Sequence, residues 1–193
     1  MRKRKGLVWI ILALAIVGSF YFDAEISKIF SLTRNYILNE FFLGITFVSS
    51  EVIILFFLTS LFLWQERKRK WIIPLWVTLG VGVIISFILK ITVQRLRPFQ
   101  EGIVSTLPSL ESAHFLSWNF SFPSFQTMLA FSAIPILSKE FPKLRYFWII
   151  FAVLVAFSRV YFGLHFMSDV LVGGVMGYII GKVVVYEAEE RRR

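Results

Sequence analysis

The sequence lacks cysteine altogether and has only two histidines among its 193 residues. Without thiols the chain can form neither a disulfide framework nor a thiolate metal site. Acidic residues are also scarce, because 12 Asp and Glu stand against 21 Lys and Arg, which gives a net charge of +9. In a soluble protein such an excess of positive charge would suggest a nucleic-acid partner. The hydropathy of the chain decides whether that reading applies.

Apolar residues make up 57% of the chain, and 22 of them are phenylalanine. A soluble domain would have about 45–50% apolar residues. The excess is arranged in long runs, which are typical of a protein that crosses a membrane several times. The positive-inside rule then accounts for the basic charge, and we expect no nucleic-acid partner. The sequence predicts a single integral membrane domain over residues 1–193.

The apolar runs predict an all-α fold, a bundle of six transmembrane helices. Residues 23–40 mix apolar and charged side chains at helical spacing, which predicts a short interfacial amphipathic helix after the first span. A plain loop is the alternative for that segment. We place the six spans at roughly 7–22, 41–64, 71–90, 123–138, 146–162 and 168–185.

Two features within the spans indicate contacts between helices. Glu51 lies inside the second span, where a carboxylate costs about 2.5–3.5 kcal/mol on insertion scales. It should therefore face a partner or be protonated, and the sequence does not name the partner. Gly173, Gly174 and Gly177 in the sixth span would let another helix approach closely.

The distribution of basic residues predicts the orientation in the membrane. Six spans put both termini and the loops at 65–70 and 139–145 on one side, and that side receives fifteen of the 21 Lys and Arg residues. The positive-inside rule assigns it to the cytoplasm. We therefore expect both termini in the cytoplasm, a bacterial inner membrane, and the remaining six cations on the periplasmic side.

The stretch from Ser158 to Asp169 concentrates the polar side chains of an otherwise apolar region. His165 and Asp169 are four residues apart, so they would share one face of a helix. An imidazole held by a carboxylate can act as a base or as a nucleophile. Arg159 adds a planar set of donors suited to phosphate. A buried His–Asp pair that only joins two helices is the alternative.

Two more cations, Lys90 and Arg97, should reach the same outer face as Arg159. Asp169 is the only matching local acid in the pattern, so three cations would be costly at the membrane boundary. A bound dianion would compensate their charge. The start of the fourth span, 123–126, adds free backbone N–H groups at a helix N-terminus. The pattern predicts a phosphate-binding site around the histidine.

Each part of this pattern also has a simpler explanation. Lys90 and Arg97 could extend towards lipid headgroups, as long basic side chains at helix ends often do. Ser124 could serve as a helix N-cap. His114 is read as an exposed loop histidine. The three segments together carry more weight than any one of them.

Three motifs in order resemble the signature of the type 2 phosphatidic acid phosphatase superfamily, which includes membrane lipid phosphatases and soluble vanadium haloperoxidases. The first and third motifs fit at every signature position, and the resemblance covers the third to the sixth span. The motifs are Lys90-x6-Arg97-Pro98, Pro123-Ser124-x-x and Ser158-Arg159-x5-His165-x3-Asp169.

The resemblance implies a role for each residue that binds phosphate. Lys90, Arg97 and Arg159 would bind the phosphoryl oxygens, and Ser124 with the backbone N–H of Phe125 would donate to the same group. The cations would stabilise the charge of the transition state. The resemblance implies no metal and no cofactor.

The resemblance also implies that His165 attacks phosphorus and becomes a phosphohistidine, while Asp169 holds the imidazole in the right tautomer. The second motif departs from the family pattern Pro-Ser-Gly-His, because Phe125 replaces Gly and Gln126 replaces the His that protonates the leaving oxygen. A carboxamide cannot deliver that proton, and losing a general acid costs about 10²–10⁴-fold in rate.

Two hypotheses address this departure at position 126. In the first, Gln126 is an introduced change that disarms the enzyme. In the second, Gln126 is natural and the substrate has a leaving group that needs little protonation, such as a lipid pyrophosphate or a sugar 1-phosphate. His114 is a further candidate for the missing acid.

The function predicted from these residues is dephosphorylation of a membrane lipid on the periplasmic face. The resemblance suggests polyprenyl pyrophosphate, phosphatidylglycerol phosphate or phosphatidic acid, and lipid A 1-phosphate as substrate classes. A natural Gln126 favours lipid A 1-phosphate or undecaprenyl pyrophosphate. The alternative function is a non-catalytic lipid-phosphate binding or transport protein.

Overall fold

The computed structural model describes residues 2–112 and 120–192, and all regular elements in these ranges are helices. This confirms the predicted all-α class. Two short 3-10 helices, Glu66–Trp71 and Pro142–Leu144, precede the fourth and seventh α-helices. The α-helices are α1 (Arg2–Leu32), α2 (Tyr36–Val48), α3 (Glu51–Leu63), α4 (Ile72–Val93), α5 (Pro108–Ser112), α6 (Phe125–Glu140), α7 (Arg145–Tyr161) and α8 (Met167–Glu190).

Four helical segments in the described part of the chain are long and apolar enough to cross a membrane. They are Trp9–Leu32 within α1 and the segments Glu66–Val93, Pro142–Tyr161 and Met167–Glu190, which contain α4, α7 and α8. The pair α2 and α3 would make a fifth span, although the two helices are bent by 62°. Helix α6 has 16 residues, which corresponds to about 24 Å at 1.5 Å per residue. The protein is thus an integral membrane helical bundle with four or five candidate spans, and the predicted count of six is not reproduced.

The predicted separate amphipathic helix at 23–40 is not confirmed. Helix α1 continues without a break to Leu32, and α2 begins at Tyr36 after a short turn in which the Asn35 side chain accepts a hydrogen bond from the N–H of Leu38. The charge of Asp23 does not end the first helix, because its carboxylate is buried and bound by groups from other segments. A prediction from hydropathy alone ends the first span at residue 22, because it treats the charge of Asp23 as exposed to water.

The predicted second span at 41–64 is interrupted in the structure. Helix α2 ends at Val48 with Ser49 as its C-cap residue, whose backbone N–H donates to the carbonyl of Ile45, and α3 starts at Glu51 with Ser50 as its N-cap residue. The hydroxyl of Ser49 is buried and donates to the carbonyl of Thr46 at 3.2 Å. The break therefore puts polar groups and a carboxylate at one level of an otherwise apolar segment.

Helix α6 packs among α4, α7 and α8, and its contact with α8 is made by glycine. A Cβ added to Gly177 would lie 2.1 Å from the carbonyl oxygen of Met128, and one added to Gly173 would lie 2.7 Å from that of Ser124. The backbones therefore touch directly at these positions. This confirms the close approach predicted for the sixth span, and it brings the N-terminal ends of α6 and α8 together.

The basic loops lie together at the other end of the bundle. Lys68 Nζ donates to the carbonyl of Glu140 at 2.7 Å, and Arg192 Nη2 donates to the carbonyl of Lys70 at 2.5 Å. The predicted cytoplasmic loop at 65–70 therefore contacts both the predicted cytoplasmic loop at 139–145 and the C-terminal tail. The 24 residues of α8 separate this end from the His165 region by about 36 Å.

The glycine contact between α6 and α8 predicts that Gly177→Ala destabilises the bundle. The added methyl has no room against the Met128 carbonyl, and overpacking of this kind costs about 1–3 kcal/mol. We expect a lower thermal unfolding temperature in detergent. The control is Gly80→Ala in α4, where nothing lies within 4 Å of the added Cβ. Equal stability of the two variants would contradict the prediction.

Candidate active site

Three separate segments bring the predicted site residues to one end of the bundle. The end of α4 with its following loop carries Lys90 and Arg97, the N-terminus of α6 carries Ser124, and the connection from α7 to α8 carries His165. The contact between α6 and α8 extends to this level, because the backbone N–H of Ser124 donates to the carbonyl of Asp169 at 3.1 Å. The segments predicted to meet do meet.

The imidazole of His165 is buried and bonded on both nitrogens. Its Nδ1 lies 2.7 Å from the backbone carbonyl oxygen of Ser121. A carbonyl can only accept, so Nδ1 carries the proton and Nε2 of the neutral ring presents a lone pair. That Nε2 lies 3.2 Å from Nη1 of Arg97. The nitrogen that carries the lone pair therefore lies next to one of the cations predicted to bind phosphate.

Asp169 holds the imidazole less directly than the resemblance implies. Its Oδ2 is 3.8 Å from Nδ1 of His165, which is too long for a hydrogen bond. The same oxygen accepts from the hydroxyl of Ser121 at 2.5 Å and from the backbone N–H of Phe166 at 2.9 Å. Ser121 thus touches both residues, and the sequence analysis had no signal for it.

Two further charged residues that the sequence analysis assigned no role complete the surroundings of Asp169. Arg95 Nη1 donates to Oδ1 of Asp169 at 2.8 Å, and Arg95 Nη2 donates to Oδ2 of Asp23 at 2.7 Å. Arg95 is one of the six cations expected on the periplasmic side, and Asp23 directly follows the predicted end of the first span at residue 22. An acid inside an apolar run was the one available signal for Asp23.

Two of the predicted phosphate-binding cations, Lys90 and Arg97, are buried, and Arg97 lies beside the imidazole. Lys90 Nζ donates to the backbone carbonyl of Phe120, and Arg97 Nη1 donates to that of Leu164 at 2.7 Å. Burial is the main cause that lowers the pKa of Arg97 to about 9. That value is still well above neutrality, so Arg97 is a cation at physiological pH.

The third cation, Arg159, is completely buried, and its hydrogen bonds go to neutral oxygens. Its Nη1 donates to Oε1 of Gln126, its Nη2 to the hydroxyl of Thr46, and its Nε to that of Ser158 at 3.1 Å. The Gln126 amide therefore acts as an acceptor that orients Arg159. Thr46, near the end of α2, is another residue that the sequence analysis did not identify.

Glu51 lies at the start of α3, where the helix pair is bent. Its carboxylate interacts electrostatically with Lys90 and with Arg159. These two cations are therefore electrostatic neighbours of Glu51, which is itself an exposed residue. The contact of Thr46 with Arg159 likewise shows that the break between α2 and α3 borders the site.

The N-terminus of α6 begins with Phe125, after Ser124 as the N-cap residue. The Ser124 hydroxyl makes no capping bond to the helix backbone and lies 2.9 Å from the hydroxyl of Thr127. The first N–H groups of a helix have no acceptor within it and favour an anion. His114, a candidate for the missing acid, lies outside the described residues.

The comparison with family models decides the family. Residues 71–193, which are more than half of the chain, match the model described as the PAP2 superfamily. The chain belongs to the PAP2 superfamily. The resemblance to the type 2 phosphatidic acid phosphatases is thereby confirmed, and so is the prediction of a phosphoric ester or diphosphate hydrolase.

Curated relatives in the same superfamily are phosphatases by name. An undecaprenyl-diphosphatase of Sulfolobus acidocaldarius is 28% identical over 188 residues, which cover 90% of this chain and 87% of that protein. Phosphatidylglycerophosphatase B of Bacillus subtilis is 31% identical over 179 residues, covering 90% and 88%. The chain is thus similar to these proteins over nearly their full length.

A solved structure is similar over almost the whole chain. The transmembrane PAP2-type phosphatidylglycerolphosphate phosphatase of Bacillus subtilis aligns with a TM-score of 0.74 and 28% identity. The alignment covers 95% of this chain and 94% of that one. The arrangement of helices described above is therefore that of a known PAP2 membrane phosphatase.

The hydroxyl of Ser121 generates a prediction for this PAP2 protein. Ser121→Ala removes the hydrogen bond to Asp169 but keeps the backbone carbonyl that holds Nδ1 of His165. A hydrogen bond to a charged group is worth about 1.5–3 kcal/mol, so we expect phosphatase turnover to fall by about 10- to 100-fold. Phosphate release in detergent measures it. Ser31→Ala, at a partly exposed serine near the end of α1, is the control, and unchanged turnover of Ser121→Ala would refute the role.

Proposed function

We propose that this chain is a membrane lipid phosphatase that hydrolyses its substrate through a phosphohistidine formed on Nε2 of His165. The observation that supports this most is the state of that nitrogen. It carries the lone pair, because Nδ1 donates to the carbonyl of Ser121, and it lies 3.2 Å from Nη1 of Arg97. A nucleophile beside a buried cation suits attack on an anionic phosphoryl group.

In the proposed mechanism, Lys90, Arg97 and Arg159 bind the phosphoryl oxygens and neutralise the charge that develops on them. The Nε2–phosphorus bond of His165 forms while the bond from phosphorus to the leaving oxygen breaks. The Nδ1 proton stays on the ring, which becomes cationic, and the nearby carboxylate of Asp169 stabilises it. Water then attacks phosphorus and releases inorganic phosphate, which returns Nε2 to its starting state.

The leaving group is where Gln126 matters. Its carbonyl oxygen already accepts from Arg159, and its amide cannot supply a proton to a departing alkoxide. A departing phosphate needs far less protonation than an alkoxide does. We therefore propose a lipid diphosphate, of the polyprenyl type, as the preferred substrate. The relative named undecaprenyl-diphosphatase supports this choice.

Two other substrates follow from the same site. Lipid A 1-phosphate also has a comparatively good leaving group. A phosphate monoester such as phosphatidylglycerol phosphate is supported by the relative named phosphatidylglycerophosphatase B. The monoester would need an acid from elsewhere, or a histidine at position 126 if Gln126 is an introduced change.

A substrate panel tests both the reaction and the role of position 126. We expect the unmodified chain to release phosphate fastest from undecaprenyl diphosphate. Gln126→His should raise the rate on phosphatidylglycerol phosphate by up to about 10²–10⁴-fold, the usual contribution of a general acid. His165→Ala should release no phosphate from any substrate.

Other outcomes of the panel identify the alternatives. Equal rates on the monoester and the diphosphate would refute the leaving-group argument. Binding of lipid phosphates without turnover, even by Gln126→His, would instead indicate a lipid-phosphate binding or transport protein.

We also propose that the site faces the periplasm of a bacterial inner membrane and that both termini are cytoplasmic. The excess of basic residues at the end of the bundle that carries the loops 65–70 and 139–145 supports this orientation. The absence of natural cysteine allows a direct test with an impermeant maleimide on intact cells. We expect Glu101→Cys, in the loop after α4, to be labelled from outside, and Lys70→Cys only after permeabilisation. The reverse labelling pattern would overturn the orientation.

A further inference from the structure

We propose that Asp23 and Arg95 act as a positioning pair for the reaction. Asp23 on the first helix fixes Arg95, and Arg95 in turn fixes Asp169 and Ser121, the residues that orient His165. This inference rests on the proposed phosphatase function. It assigns a role to the first helix, α1, which lies outside the three motifs and outside residues 71–193 that match the family model.

Asp23 is a buried carboxylate in the apolar helix α1, with 3% of its surface exposed. Its Oδ2 accepts from Arg95 Nη2 at 2.7 Å, and its Oδ1 accepts from the backbone N–H of Ser168 at 3.0 Å. The hydroxyl of Ser168 also donates to Oδ2. Asp23 thus joins α1 both to the loop after α4 and to the first turn of α8.

Arg95 connects this carboxylate to the proposed catalytic one. Its guanidinium donates to Asp23 through Nη2 and to Oδ1 of Asp169 through Nη1 at 2.8 Å, and Nη1 also donates to the Ser168 hydroxyl at 2.7 Å. The guanidinium carbon stacks 4.0 Å above the ring of Phe166. A planar group with several donors can hold two carboxylates at once, which a lysine ammonium cannot do in the same geometry.

Arg95 reaches His165 by two routes. Its side chain holds Oδ1 of Asp169, which leaves Oδ2 for the Ser121 hydroxyl. Its backbone carbonyl accepts from the N–H of Ser121 at 2.8 Å, and the carbonyl of the same serine accepts from Nδ1 of His165. Arg95 therefore positions Ser121, the residue that sets the tautomer of the imidazole. It does so through its backbone carbonyl and, by way of Asp169, through its side chain.

The charges explain why Asp23 is needed. Without Asp23, Arg95 would have one carboxylate partner and could turn towards the phosphoryl site, where Arg97 and Arg159 already supply positive charge. With Asp23 in place, the guanidinium is held at Oδ1 of Asp169, whereas the imidazole lies nearest to Oδ2. The pair should therefore affect the chemical step more than phosphate binding.

The test is the steady-state kinetics of Asp23→Asn on the best substrate of the panel, with the purified full chain in detergent. Small misplacement of a catalytic group costs up to about 10²-fold in rate, so we expect kcat to fall by about 10- to 100-fold. KM and inhibition by inorganic phosphate should change by less than about twofold, because the three phosphate-binding cations are untouched. Asp23→Glu should recover part of the kcat loss.

Glu25→Gln is the matched control, since this acid is exposed on the same helix two residues further on. It should leave kcat and KM unchanged. A double-mutant cycle of Asp23→Asn with Asp169→Asn should be non-additive if Asp23 acts through Asp169. Additive losses, or a fall in phosphate affinity equal to the fall in kcat, would overturn the proposal.

Loss of folding in Asp23→Asn would not end the test. Arg95→Lys keeps the charge but cannot bridge the two carboxylates, and it should show the same loss of kcat with little change in KM. If the unmodified chain turns over and both Asp23→Asn and Arg95→Lys keep its kcat, the positioning role is wrong. If the unmodified chain and Gln126→His both fail to turn over, the proposed function fails instead.

Discussion

Positive charge buried in an apolar helical bundle is the constraint on which the site depends. Arg97 and Arg159 have 1% and 0% of their surface exposed, and Lys90 has 8%. Arg159 and Lys90 donate to neutral oxygens, which satisfy hydrogen bonds without cancelling charge. Burying such charge is costly unless an anion accompanies it. In the proposed function a phosphoryl group would supply that anion, in addition to the carboxylate of Glu51, which interacts electrostatically with Lys90 and Arg159.

The catalytic geometry also needs helices whose backbones touch. Glycines at 173, 177 and 181 remove the side chains that would hold α8 away from α6. As a result the N–H of Ser124 reaches the carbonyl of Asp169. The start of α6, with its free N–H groups, is thereby placed beside the start of α8, which carries the carboxylate near the imidazole. The glycine contact between α6 and α8 in the apolar part of the bundle therefore also fixes the geometry of the proposed site at its end.

Much of the site could be predicted, because its cations and its histidine fall in three short motifs with set spacing. What the motifs did not contain was missed. Ser121 contacts both Asp169 and His165, yet it lies 44 residues before His165 in the chain. Asp23 meets Ser168 across 145 residues. Periodicity and spacing describe neighbours along the chain, so contacts of this separation leave no mark in them.

By itself, the sequence determined the all-helical membrane class and the family, and it predicted which charged residues form the proposed site. Apolar runs and motif spacing are local properties, and a lipid environment allows few structures for such runs. Only the tertiary structure decided that α1 runs past Asp23, that the second span breaks at Ser49, and that Gln126 binds Arg159. Those outcomes depend on which distant group compensates each polar side chain, and that choice is made only when the helices pack.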